Sequence, residues 1–151
     1  MYNEIAEGYD ELYGLEQEKK LEKIKFVIKG RVLDIGAGTG IVARNFPNVV
    51  SLDPSKELLA KAPGETVVGE AESLPFERGE FDTIVSLTAL HHCDIDQVIK
   101  ELKRLDAPNM AFTIMKRSKK CEEIVEKLKE AFGMEVIEDE KDVILVKHVK
   151  E

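Results

Sequence analysis

This chain is poor in cysteine, in aromatic residues and in net positive charge, and no part of it is a long apolar run. Its two cysteines, Cys93 and Cys121, stand far apart and match neither a metal-binding nor a redox spacing. They read as free thiols, as expected in a reducing cytoplasm. No apolar stretch reaches membrane length, and no signal-peptide or lipidation pattern is legible, so a membrane protein is not expected. Lysine and arginine number 22 against 30 aspartates and glutamates, a formal net charge of −8. That sign disfavours broad binding to nucleic acid or to an anionic membrane, both of which need counter-charge, yet leaves room for a local basic patch. Repeats, linkers and low-complexity segments are absent too. What remains is 151 residues, 34% charged and 43% hydrophobic, which suits one soluble domain with an ordinary core.

The most informative stretch is Val32-Leu33-Asp34-Ile35-Gly36-Ala37-Gly38-Thr39-Gly40. Val32 to Ile35 read as a short buried strand carrying one acid. Glycines then fall at every second position, where the backbone must turn sharply and a Cβ would block a ligand. Ile41 to Phe46 can start a helix, which Pro47 stops. Strand, glycine turn and helix form the nucleotide-binding corner of an open α/β sheet, and such a corner is expected to present main-chain amides to its ligand. A dinucleotide site wants G-x-G-x-x-G, and Ile41 stands where the last glycine would fall. The ligand is therefore expected to lack a pyrophosphate.

The segment Asp34-Ile35-Gly36-Ala37-Gly38-Thr39-Gly40 resembles the first motif of class I S-adenosylmethionine (SAM) dependent methyltransferases. The alternatives for this corner alone are a tight turn without a ligand or a degenerate dinucleotide site. Further along, Val49 to Asp53 reads as a second buried strand ending in an acid, seventeen residues past Gly36. A carboxylate there can accept hydrogen bonds from both ribose hydroxyls. It can equally N-cap a helix over Ser55 to Ala62, with Pro54 at its first position. After a third strand, Thr66 to Gly69, the run Gly69-Glu70-Ala71-Glu72-Ser73-Leu74-Pro75-Phe76 is similar to the family's adenine-side motif. That motif usually has aspartate where this chain has Glu70; Glu72 reads as a solvated loop acid. A fourth strand, Phe81 to Leu87, delivers Thr88-Ala89-Leu90-His91-His92 to the edge where α/β sheets bind ligands. Ala-Leu-His-His after this strand resembles the small-molecule and wobble-base tRNA branches of the family.

The resemblance extends to the N-terminus, where Tyr2, Ile5, Ala6, Tyr9, Leu12 and Tyr13 recur at helical spacing. Tyr2-Asn3-Glu4-Ile5-Ala6 and Gly8-Tyr9-Asp10 are similar to a segment that covers the SAM pocket as a lid in the small-molecule branch. Tyr9 is then either a pocket residue or part of a core stripe. A second helix is expected over Glu16 to Ile28, ended by Gly30. Beyond the histidines, Asp94 or Asp96 can cap a helix to Leu105, and Met110 to Met115 is a fifth strand. Lys116-Arg117-Ser118-Lys119-Lys120 is read as opening the next helix, where its cations would oppose the helix dipole. Such a cluster either holds a substrate anion, through Lys116 and Arg117, or is solvated surface charge. Met134 to Glu138 and Val143 to Val149 complete the sheet as an antiparallel hairpin.

The resemblance implies a three-layer, Rossmann-like α/β sandwich. Its seven-stranded, mostly parallel sheet would run 3-2-1-4-5-7-6, with the last strand antiparallel. Residues 1–151 would form one domain, with 1–29 an N-terminal helical lid segment and 30–151 the core. It further implies a methyltransferase using SAM, with S-adenosylhomocysteine as product. Asp34, Gly36, Ala37, Gly38 and Gly40 would face the methionine half, Asp53 and Pro54 the ribose, Glu70 and Ala71 the adenine, with Leu87 and Tyr9 completing the pocket. Such chemistry needs a positioned acceptor and, where required, a base, so neither a triad nor a metal site is expected. His91 or His92 can serve as the base, or be an ordinary packed or surface histidine. The acceptor is expected to be a small molecule. An RNA substrate with a partner subunit, a dimer or activator arrangement, a non-catalytic SAM-binding subunit and a nucleotide-dependent oxidoreductase are the other readings.

Overall fold

The computed structural model describes residues 14–150. Tyr9 and the rest of the expected N-terminal lid helix lie outside the described residues. The seven strands are β1 (Val32–Ile35), β2 (Val49–Asp53), β3 (Glu65–Val68), β4 (Thr83–Leu87), β5 (Asn109–Met115), β6 (Glu135–Ile137) and β7 (Asp142–Lys147). They form one sheet in the order β3-β2-β1-β4-β5-β7-β6. β1 to β5 pair in parallel, and β7 runs antiparallel to both β5 and β6. This is the expected architecture, with strand ends moved by a residue or two.

Every residue of β1, β2 and β4 is buried, so these strands are largely apolar, with Asp34, Ser51, Asp53, Thr83 and Ser86 as their buried polar members. Successive side chains point to opposite faces. Leu33, Ile35, Val50, Leu52 and Ile84 pack with α4 (Ile95–Leu105) and α5 (Cys121–Phe132). Val32, Val49, Val85 and Leu87 pack on the other face with α2 (Ile41–Asn45) and with α1, helical through residues 14–24. Leu21, Ile24, Val27 and Ile28 belong to that second cluster.

Helix boundaries depart from expectation where local hydrogen bonds intervene. α1 tightens into a 3-10 turn at Lys25–Val27 instead of running on to Ile28. Gly30 lies beyond it, with Asp82 filling the space a Cβ would need. α3 spans only Lys56–Leu59, capped by Ser55, whose hydroxyl accepts from Leu58 N–H at 3.2 Å. Asp53 is therefore not the cap, and Pro54 is not the first helical residue. α5 starts at Cys121, with Glu122 and Glu123 in its first turn. The basic run precedes the helix as turns, closed by Ser118 N–H on the Met115 carbonyl and Cys121 N–H on the Ser118 carbonyl. The dipole rule is thus obeyed. Of the two candidate caps for α4, Asp94 is the one used, accepting from Gln97 N–H.

Candidate active site

The sheet order reverses between β1 and β4, and the carboxyl ends of β1, β2 and β4 open there onto a cavity of about 480 Å³. Of the cofactor residues expected from sequence, Gly36, Gly38, Asp53, Pro54, Glu70, Ala71 and Leu87 line it. Asp34, Ala37 and Gly40 do not. Asp34 points into the interior and is 2% exposed. Ala37 is buried, and a Cβ on Gly40 would meet Ala62 at 2.6 Å, so that glycine serves helix packing.

The corner does not offer its amides as expected. Gly36 and Ala37 N–H both donate to the Leu52 carbonyl, at 2.8 and 2.9 Å, and Gly40 N–H donates to the Ala37 carbonyl. Gly38 N–H donates to Asp53 Oδ2 at 2.9 Å. What the corner gives a ligand is room: at Gly38, φ is +57° and an added Cβ meets no protein atom. At Gly36, by contrast, φ is +72° and a Cβ would collide with Ala89, at the start of the turn that carries the histidines.

Asp53 joins the parts. Besides Gly38 N–H it accepts Ser55 N–H on Oδ1 at 2.8 Å, which holds its carboxylate rigidly at the cavity wall. Two oxygens offer about four lone-pair sites, so acceptor capacity is left for a ligand's hydroxyls. Nearby Asp34 has its carboxyl pushed up to about 8 by burial and, secondarily, by the charge of Asp53. Glu72 is not the solvated acid expected: it lines the cavity and accepts Asp94 N–H at 3.0 Å. Cys93 also lines the cavity, its thiol pushed up to about 11 by burial and then by Glu72 and Glu70.

A second cavity, of about 610 Å³, shares Thr88 and His92 with the first. Lys116 and Arg117 line it, as does His91, so the two histidines and the two cations named from sequence meet around one space. Leu90–His92 form a 3-10 turn, which stacks the two imidazoles at 3.9 Å with a 43° tilt. His91 Nδ1 is buried without a hydrogen-bond partner. Burial, then His92 and Lys120, hold the His91 pKa below the ordinary imidazole value, so the ring is neutral at neutral pH.

Sequence reasoning missed Thr88 and the far wall. Thr88 has φ +56°, a strained conformation for a β-branched residue. Its N–H donates to both the carbonyl and the hydroxyl of Thr113, which fix the strain in place. Its own hydroxyl donates to Gln17 Oε1 at 3.2 Å and accepts from Lys20 Nζ at 3.4 Å. Lys20 lies 3.0 Å from the buried Asp142, and Lys141 bonds Glu16 at 2.6 Å. These residues come from opposite ends of the chain, and no local motif marks them.

Residues 33–114 match the family described as a methyltransferase domain. An uncharacterized protein of Methanocaldococcus jannaschii is 37% identical over 113 residues, covering 69% of this chain and 45% of that protein. The demethylmenaquinone methyltransferase of Thermotoga maritima is 30% identical over 125 residues, covering 70% of this chain and 55% of the relative. The chain thus spans about half the length of the curated relatives it matches. Among solved structures, a SAM-dependent methyltransferase of Thermotoga maritima, described as a possible histamine N-methyltransferase, aligns with a TM-score of 0.71. It is 17% identical and covers 99% of this chain and 98% of that one, a likeness of fold. A Pyrococcus horikoshii protein aligns at 0.67 with 19% identity, covering 89% and 92%.

Proposed function

The chain belongs to the class I SAM-dependent methyltransferases, and from that premise we propose that it moves a methyl group from SAM to a small-molecule acceptor held in the second cavity. The observation that carries the reading is the bond from Gly38 N–H to Asp53 Oδ2, which joins the glycine corner and the β2 acid across one crevice.

The crevice suits the cofactor. Room above Gly38 accommodates its amino-acid half, with the buried carboxyl of Asp34 behind the corner. Asp53 would accept the ribose hydroxyls, and Ala71 and the exposed Leu58 would flank the adenine, with Glu70 at its amino edge. When bound, SAM supplies a methyl carbon on a sulfonium, open to in-line attack. The chain's remaining task is to place an acceptor across Thr88 and to take its proton. His91 is the candidate base: neutral, in the wall of the acceptor cavity, with Nδ1 unbonded. His92, exposed and shared by both cavities, would orient the acceptor. A second cavity contiguous with the first favours transfer over a non-catalytic SAM-binding role. The net charge of −8 favours a small acceptor over RNA, and the free cysteines support a reducing, cytoplasmic setting.

Thermal denaturation with ligands tests this reading. SAM at a hundred times its Kd should add about 2.7 kcal/mol, a rise of roughly 5–10 °C. NADH should leave the midpoint unmoved. Protection by NADH and not by SAM returns the crevice to dinucleotide chemistry.

A further inference from the structure

The second cavity carries charge that methyl transfer alone does not need. Four cations line it against three carboxylates, a surplus of one positive charge. Two cations are already matched, Lys20 by Asp142 and Lys141 by Glu16. Glu140, the third lining carboxylate, acts on Lys141 electrostatically. Lys116 has its ammonium fixed on the Asp139 carbonyl at 2.6 Å, and no carboxylate pairs with it among the described residues. Arg117 feels Glu16 and Lys141 through space, yet its guanidinium has no hydrogen-bond or ion-pair partner among the described residues.

The fold holds these two charges at the cavity. Both sit in the turns that leave β5 at the ligand-binding edge of the sheet, and both are exposed to solvent there. On another wall stands His91, whose buried Nδ1 has no hydrogen-bond partner among the described residues. A free guanidinium is a planar fork that matches a carboxylate with two parallel hydrogen bonds. One surplus charge suits a monoanion; a dianion would leave charge unmatched beside Glu16 and Glu140. The volume is that of a small-molecule site.

We infer that the methyl acceptor is a small carboxylic acid. Arg117 grips its carboxylate with Lys116 alongside, and the atom to be methylated is elsewhere on the molecule, toward His91. The inference rests on the methyltransferase reading above and adds the acceptor's chemical class.

The test begins with small molecules from a cell extract, separated on an anion exchanger and offered to the protein with methyl-labelled SAM. Label should enter molecules that the exchanger retained. Those fractions should also raise the melting temperature of protein saturated with S-adenosylhomocysteine, a readout independent of turnover. Acceptor activity in the unretained fraction, or none in the retained one, overturns the inference. In Arg117→Gln the KM for the retained acceptor should rise about tenfold or more, as expected for loss of a charge-assisted fork. The KM for SAM and the calorimetric affinity for S-adenosylhomocysteine should hold, and Arg117→Lys should recover part of the loss. An unchanged acceptor KM in Arg117→Gln overturns the inference with SAM binding intact. Failure of the unaltered protein to bind S-adenosylhomocysteine removes the methyltransferase reading itself, so the two failures are told apart.

Discussion

At the scale of single residues, the glycine corner separates positions that share a pattern but not a job. Gly36 and Gly40 are hemmed in by Ala89 and Ala62, whereas Gly38 faces open space in the crevice. Gly38→Ala should therefore cost only about 1 kcal/mol of stability, the price of a left-handed backbone with a Cβ. Its SAM affinity should fall by about tenfold or more, because the new methyl occupies ligand room. Calorimetry beside urea denaturation checks both numbers; equal loss in each would make Gly38 a structural residue. His91 gives a pH prediction. Its depressed pKa means the ring gains its proton only below the ordinary imidazole range. The rate should be flat near neutrality and fall on the acid side, below about 6.5. His91→Gln should lose that acid limb and about a hundredfold or more in kcat, with SAM affinity unchanged. A limb that survives the substitution assigns it elsewhere.

At the scale of elements, α1 is the piece whose role the tertiary structure defines. Glu16, Lys20 and Lys23 lie on one face, at i, i+4 and i+7. They pair with Lys141, Asp142 and Asp139, all at the turn between β6 and β7. The outer two pairs are exposed and contribute little. The middle one is buried, with side-chain exposures of 10% for Lys20 and 1% for Asp142. Asp142→Ala leaves the Lys20 ammonium without its counter-charge and should cost about 3 kcal/mol. The double change Lys20→Met with Asp142→Leu should cost far less, since it removes both charges together. Denaturant midpoints of Lys20→Met, Asp142→Leu and the double variant decide this; additive losses would show that no such pair acts between α1 and β7. Sequence alone put α1 in place but could not reveal this fastening, because its partners lie more than 110 residues away.

At the scale of the whole molecule, the cofactor-free chain carries a buried acid that keeps its proton near neutral pH. Asp34 is raised from 3.8 to about 8. The folded chain thus binds that proton more tightly than the unfolded chain, and stability is lost as pH rises from about 4 through about 8. Asp34→Asn should melt higher than the parent protein at pH 8, by roughly 2 kcal/mol or more, and the gap should close toward pH 4. SAM should narrow the same gap by bringing cationic charge to the corner. Melting curves across pH, with and without SAM, test this; a gap independent of pH would mean that Asp34 binds its proton no more tightly in the folded chain than in the unfolded one.

The sequence by itself determined the strands and the glycine corner, which depend on runs of apolar residues, on glycine spacing and on acids at strand ends, all of which are local. The strand order was implied by the family resemblance that those residues carry, and the sheet has that order. Seven of the residues the sequence named for the cofactor line the first cavity, because strand ends and the loops that follow them are local features. It misjudged the amides of the corner, which Leu52 and Asp53 consume, since hydrogen bonds between strands cannot be read from spacing. Only the tertiary structure assembled the second cavity. There Thr88, Lys20 and Asp142 join the His91, His92, Lys116 and Arg117 named from sequence, because β7 inserts beside β5 and α1 packs across both. Charge balance in a cavity depends on which partners the folded chain brings within a few ångströms, and no pattern along the chain records that.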